Sequence, residues 1–216
     1  MPHFIMERYK VDVGKIVCII EGGNKENEDC VFYIKPQGSL VQDGSETPIP
    51  DESEGLAFSM MMGIAVGERS KGDPRTLMRS ILGLGVMLDH HVQNDGSSDL
   101  ISHLRDPLKS GRDGFCTISE FVPLKKVGDP YGLEAYLQVN GEEKLQMSTR
   151  DMLTTMENAL ESVGKHITLF PGDLIGIWLD GLDRPSGPGD LIEGGISNIS
   201  TITSKIVGKE TVAEDP

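Results

Sequence analysis

Leu133-Glu134-Ala135-Tyr136-Leu137-Gln138-Val139-Asn140-Gly141-Glu142-Glu143-Lys144-Leu145 is a strand, a two-residue turn and a returning strand. Asn-Gly is the pair that most readily takes the positive φ angles of a tight hairpin turn. A hairpin this clear near the middle of the chain points to a β-rich protein.

The flanking segments agree. Downstream, Ser148 or Thr149 can cap a helix from Arg150 to about Val163, with Met152, Met156, Ala159, Leu160 and Val163 on one stripe and Gly164 ending it. Leu174 to Leu179 and Ile199 to Ile206 read as strands. Upstream, Lys15 to Ile20 is a β-branched run stopped by Glu21-Gly22-Gly23, and Val31 to Lys35 is a strand closed by Pro36. Residues 37–55 read as loop with one short strand, and Phe58 to Gly67 as a buried strand. Asp73-Pro74 opens a helix, the aspartate as cap and the proline in the first turn. Leu77, Ile81, Leu84 and Leu88 recur at helical spacing, yet Gly83 to Leu88 fits a strand ending at Asp89 equally well. Residues 94–112 are polar loop with room for a short helix, and Thr117 to Val122 is a further strand. Residues 1–14 read as a peripheral arm, and the chain shows no internal repeat.

The composition narrows the function. With 38% hydrophobic and 25% charged residues, 26 glycines and 12 prolines in 216 residues, the chain suits one globular domain rich in turns. No apolar run approaches the roughly 20 residues that cross a bilayer, and no basic segment with an apolar run opens the chain, so a cytoplasmic protein with no membrane partner is expected. A net charge of −14 would repel a phosphate backbone, which disfavours nucleic acid as a partner. Cys18, Cys30 and Cys116 are odd in number, lack metal-like spacing and read as reduced thiols.

Few residues suggest chemistry on their own. Asp89-His90-His91 puts a carboxylate beside two imidazoles, but neighbours on a strand face opposite ways, so only Asp89 and His91 share a side. Met60-Met61-Met62 reads as core packing, and Lys109-Ser110 as solvated loop. No glycine pattern suits a phosphate, so no nucleotide cofactor is expected.

An ordered set of segments resembles the fumarylacetoacetate hydrolase superfamily, especially its acylpyruvate hydrolase and oxaloacetate decarboxylase branch. Lys15 to Cys18 resembles the opening strand, and Phe32 to Ser39 the F-x-K-P-x-S strand. Gly67 resembles the glycine ending the E-x-E-L-x-V-V-x-G strand, and Gly83 to Asp89 the strand of the third acidic ligand. Asp129-Pro130 with Leu133 to Glu142 resembles the D-P-x-x-L-x-L-x-L-x-V-N-G-E hairpin, Thr149 to Met152 the start of the next helix, and Leu169 to Ile175 the L-x-P-G-D-x-I signature. The resemblance implies a β-rich α+β fold, a rolled mixed β-sheet with peripheral helices, in a homodimer. It divides the chain into an N-terminal arm (1–14), one domain (15–207) and a tail (208–216).

The departures bear on function. Family members hold Mg²⁺ or Mn²⁺ with Glu-x-Glu and a downstream Asp; here Ser59 and Met61 stand at the two glutamates and only Asp89 remains. Glu52 and Glu54 come too early to substitute. Ile177-Trp178-Leu179-Asp180 replaces the T-G-T-P substrate loop, Gln93 replaces an arginine, and the His/Glu lid shortens to Glu21 to Asp29 without histidine. Lys35 keeps its family position, and Lys109 aligns with the active-site lysine only through a one-residue insertion. No metal and no cofactor is therefore expected. The expected site is a mostly apolar pocket walled by Ser59, Met61, Gln93, Trp178 and Asp180, with Asp89, His91, Lys35 and Lys109 as its catalytic groups and Asp89 raised in pKa as a proton handler. The expected partner is a weakly charged small-molecule substrate, polyketide-like or β-dicarbonyl, undergoing isomerisation, cyclisation or C–C bond chemistry. A family fold with a purely binding role, and an ordinary metal-dependent hydrolase or decarboxylase, are the alternatives.

Overall fold

The computed structural model describes residues 2–21, 29–51, 53, 55–96, 99–180 and 183–208. In chain order the elements are β1 (His3–Met6), β2 (Tyr9–Asp12), β3 (Ile16–Glu21), β4 (Val31–Lys35), β5 (Leu40–Gln42), β6 (Glu46–Pro48), β7 (Leu56–Val66), α1 (Pro74–Arg79) and β8 (Ile81–Val92). There follow α2 (Leu100–Arg105), α3 (Pro107–Ser110), β9 (Cys116–Ile118), β10 (Val122–Pro123), α4 (Leu124–Val127), β11 (Glu134–Val139), β12 (Glu142–Ser148) and α5 (Met156–His166). The last four are β13 (Leu174–Trp178), β14 (Arg184–Ser186), β15 (Leu191–Ile196) and β16 (Ser200–Val207). This is the β-rich, mixed and curled architecture that the sequence implies. No helix of the described residues is long and apolar enough to cross a membrane.

The main sheet runs β4-β3-β13-β7-β8-β9-β5, with β10 on β8 and β14 on β7. β13 pairs in parallel with β3 and antiparallel with β7. A second sheet, β12-β11-β15-β16-β6, contains the Asn140-Gly141 hairpin. β7 and β8 are the longest strands, and every residue of β7 is buried. A strand covered on both faces reads as a continuous apolar run, which is how Leu56–Val66 reads. One face, with Phe58, Met60, Met62 and Ile64, packs against the second sheet and α5. The other, with Met61 and Ala65, lines the interior of the roll together with Met87 of β8, Cys18, Tyr33 and Trp178.

Small residues make room in that interior. A Cβ on Gly176 would stand 2.4 Å from Met61 Sδ, and one on Gly85 would stand 2.9 Å from Phe121 ring carbons. The roll is therefore filled by large side chains lying over glycines.

Three local readings change. The stretch read as an arm forms the β1–β2 hairpin, held down by buried Phe4 against the Phe121 ring at 4.9 Å. The helix expected from Arg150 begins at Met156, because Thr155 accepts from Asn158 N while Ser148 closes only a short 3₁₀ turn. Gly164 does not end that helix; it admits Leu77 of α1, whose Cδ1 would lie 2.8 Å from an added Cβ. The open choice at 81–88 falls to strand, since Ser80 ends α1 and β8 begins one residue later. The expected Asp73 cap forms, accepting from Thr76 N. Glu52, Glu54, lid residues 22–28 and tail residues 209–216 lie outside the described residues.

Gly172 locks this frame. Its φ is 89°, its N–H reaches Val66 O at 2.9 Å, and an added Cβ would stand 2.2 Å from Asp12 O. Gly141 has a similar φ of 79° but open space around it. Gly172→Ala should cost about 3 kcal/mol or more and Gly141→Ala about 1 kcal/mol. Urea unfolding of the two variants measures the difference; equal costs would mean that the Asp12 contact is immaterial.

Candidate functional site

Period-two alternation places the site residues. Tyr33 and Lys35 share a face of β4, Asp89 and His91 a face of β8, and Ser59 and Met61 a face of β7. Ser59 pairs across the ladder with Asp89, and Met61 with Trp178. β4 and β8 stand four places apart in the sheet, so only its curl lets their side chains meet. They meet through Lys35 Nζ, 2.8 Å from Asp89 Oδ1, with both side chains fully buried.

Asp89 is fully engaged. Its Oδ2 accepts the Tyr33 hydroxyl and, at 2.8 Å, the Trp178 indole N–H. Lys35 donates to the carbonyls of His90 (2.7 Å), Ser110 (2.6 Å) and Phe115 (2.7 Å). An ammonium has three protons, and the three carbonyls take them. Asp89 Oδ1 is thus held as an ion-pair partner without a hydrogen bond of its own.

The electrostatics overturn one expectation. Burial pushes the Asp89 carboxyl up and is the largest single influence. Lys35, then His91, together with the contacts from Lys35 and Tyr33, outweigh it and hold the group below the usual carboxylate range. Asp89 is an ionised anchor and not the raised-pKa proton handler that an apolar pocket would produce. Around it, burial and the Asp89 charge push the Tyr33 hydroxyl well up, and burial pushes Cys18 well up and Cys116 to about 12, so these groups stay protonated.

The remaining predicted residues are placed as follows. His91 is buried, stacks on Trp178 with centroids 6.3 Å apart, and lies 2.9 Å from Asp183 Oδ1. Lys109 is half-buried in α3, and it is the carbonyl of Ser110 beside it, not its amine, that enters the cluster. Gln93 is exposed beyond the end of β8, its N–H on Gly55 O. Asp180 pairs with Arg184. Sequence reasoning missed Tyr33, whose place two residues before Lys35 on a strand was the available signal, and Asp183, for which there was none.

The pocket expected around Met61 and Trp178 is filled: Ser59, Met61, Asp89 and Trp178 have no exposed surface. A cavity of about 460 Å³ opens further out, over the cluster that contains Trp178. Ile20, Leu100, Ile101 and Leu153 give it apolar walls, and Glu21, Asp99 and Asp180 give it carboxylates. Ser102 holds the Asp99 carboxyl below its usual range.

The residues at the family's metal position do not suit a hard divalent ion. Such ions want several oxygen ligands; here they would meet a thioether, a serine and a carboxylate already held by three groups. Among the described residues, no three His, Cys, Asp or Glu side chains come together where they could hold a metal ion.

The fold and this frame define a protein of the fumarylacetoacetate hydrolase class. The fumarylacetoacetate (FAA) hydrolase C-terminal family matches residues 19–207, and the chain belongs to that family. It is 30% identical over 186 residues to the mitochondrial oxaloacetate tautomerase FAHD2 of Arabidopsis thaliana, covering 84% of this chain and 82% of that one. It is 28% identical over 183 residues to the mitochondrial oxaloacetate decarboxylase of Dictyostelium discoideum, with 84% of each covered. The fumarylpyruvate hydrolase of Pseudomonas aeruginosa, solved with Mn²⁺ and pyruvate, has the same fold at a TM-score of 0.81 and 17% identity, with 97% of each chain covered. So has the 2-hydroxyhepta-2,4-diene-1,7-dioate isomerase of Mycobacterium marinum, at 0.79 and 24%, covering 93% of this chain and 77% of that one. These relatives are named as enzymes.

His90, on the opposite face of β8 from Asp89, supplies a pH test. Burial, then the Lys35 charge, holds its imidazole down at about 3 from an ordinary 6.5. The fold therefore keeps it neutral while the unfolded chain takes up a proton below about pH 6.5, so its stabilising contribution is complete above 6.5 and is lost as pH falls toward 3. Between pH 6.5 and 4, His90→Leu should flatten the fall of unfolding free energy by up to about 1.4 kcal/mol per pH unit. Parallel urea series at stepped pH measure this; an unchanged slope would contradict it.

Proposed function

We propose that the chain is a family enzyme that works without a divalent cation at the inherited centre. Its substrate sits in the outer cleft, between apolar walls, the Glu21 and Asp99 carboxylates and the Asp180–Arg184 pair. One observation carries the reading: the one surviving acidic ligand, Asp89, is committed to Lys35, Tyr33 and Trp178. With Asp180 compensated by Arg184, the Glu21 and Asp99 carboxylates would still repel an oxo-acid anion and tolerate an uncharged or cationic molecule. Isomerisation, cyclisation or C–C bond chemistry on a β-dicarbonyl or polyketide-like compound fits, since the proton between two carbonyls is acidic enough for a carboxylate base.

A second reading is ligand binding without turnover. It is favoured by the complete burial of Ser59, Met61, Asp89, His91 and Trp178, which puts these side chains out of reach of a ligand.

Purified protein should neither tautomerise nor decarboxylate oxaloacetate above the metal-only background, nor cleave acylpyruvates, with or without Mn²⁺. Cation-dependent turnover near 10 per second, an ordinary enzyme rate, would overturn the proposal. Trp178, the only tryptophan in the chain, should be quenched saturably by neutral β-dicarbonyl probes and not by oxo-acid anions. Quenching with product formation supports the enzyme, and quenching without product in any of the panel supports the binding reading.

A further inference from the structure

Four oxygens converge on one point inside the roll, three of them backbone carbonyls and the fourth a carboxylate oxygen. Beyond the Asp89–Cys116 pair of β8 and β9, the Phe115 carbonyl accepts the His90 N–H at 3.0 Å and also takes Lys35, while the His90 carbonyl faces the same ammonium. Ser110 is the last residue of α3, where helical carbonyls lose their partners. With Asp89 Oδ1 they stand at 2.7, 2.7, 2.6 and 2.8 Å from Lys35 Nζ. Buried carbonyls need partners, and no other cation among the described contacts supplies one. Three carbonyl dipoles and a carboxylate around one small positive charge form the kind of oxygen cage in which proteins hold monovalent cations.

The geometry points to a monovalent-cation site that the chain fills with its own side chain. Lys35 Nζ is the tethered occupant of a cage built by His90, Ser110, Phe115 and Asp89. The cage belongs to the folded backbone and outlasts the side chain, so without Lys35 it takes free ammonium, methylammonium or K⁺. A simple salt bridge would behave differently, because the pocket would collapse or flood once its lysine was gone. This site is independent of what the outer cleft binds.

The test is cation rescue in the full chain. Lys35→Ala should lower Tm by roughly 10 °C, and excess methylammonium or ammonium chloride should recover most of that loss. Tetramethylammonium chloride at the same ionic strength, too large for the cage, should not. Lys35→Met, whose unbranched side chain occupies the stem's space and ends in a methyl group, should be destabilised and insensitive to all three salts. If Lys35→Ala does not accumulate folded, refolding it from urea in methylammonium and in tetramethylammonium gives the same answer, with recovery expected only in the first. Equal effects of the salts, failure to refold in either, or a Lys35→Met protein as stable as wild type would overturn the proposal.

Discussion

The Lys35–Asp89 pair is the constraint on which the interior of the roll depends. It joins two strands separated by three others, β3, β13 and β7. Burying such a pair is costly, and it is tolerated only where the remaining polar atoms find partners. Here Tyr33, Trp178 and three carbonyls supply them. Removing either charge would leave the other buried and unmatched, typically at a cost of about 3–5 kcal/mol. The pair thus fixes how the sheet closes, which side chains fill the closure and how much of the old centre a ligand can reach.

Much of the fold was legible because its signals are local. Asn140-Gly141 specifies its turn, Asp73 its cap, and the continuous apolar run of β7 declares burial on both faces. What was not legible depends on partners distant in sequence. Gly164 resembles a helix stop until Leu77 is seen beside it, and Gly85 and Gly176 are unremarkable until Phe121 and Met61 are seen lying over them. The hairpin of residues 3–12 has little alternation to announce it, and the buried Phe4 that anchors it meets a ring far along the chain.

The site divides the same way. Strand periodicity put Ser59 and Met61 on one face, and Asp89, expected opposite them, stands beside Ser59 in the ladder. Periodicity says nothing about charge, and the expectation of a raised Asp89 failed because Lys35 approaches from a different strand. The inherited fold also said little about where a ligand would sit: Ser59, Met61, Asp89 and Trp178 are buried, and a cavity opens further out at Glu21, Asp99 and Asp180. A shared fold fixes the frame, and the chemistry rests on the side chains placed in it.

The central claim is that Asp89 serves the protein's own cation and is closed to a divalent one. Mn²⁺ electron paramagnetic resonance on the full-length protein tests it most directly, because bound and free ions give different signals. Titrated with excess protein, Mn²⁺ should keep the spectrum of the free ion, in wild type and in Asp89→Asn alike. Stoichiometric loss of the free-ion signal in wild type, restored by Asp89→Asn, would contradict the account.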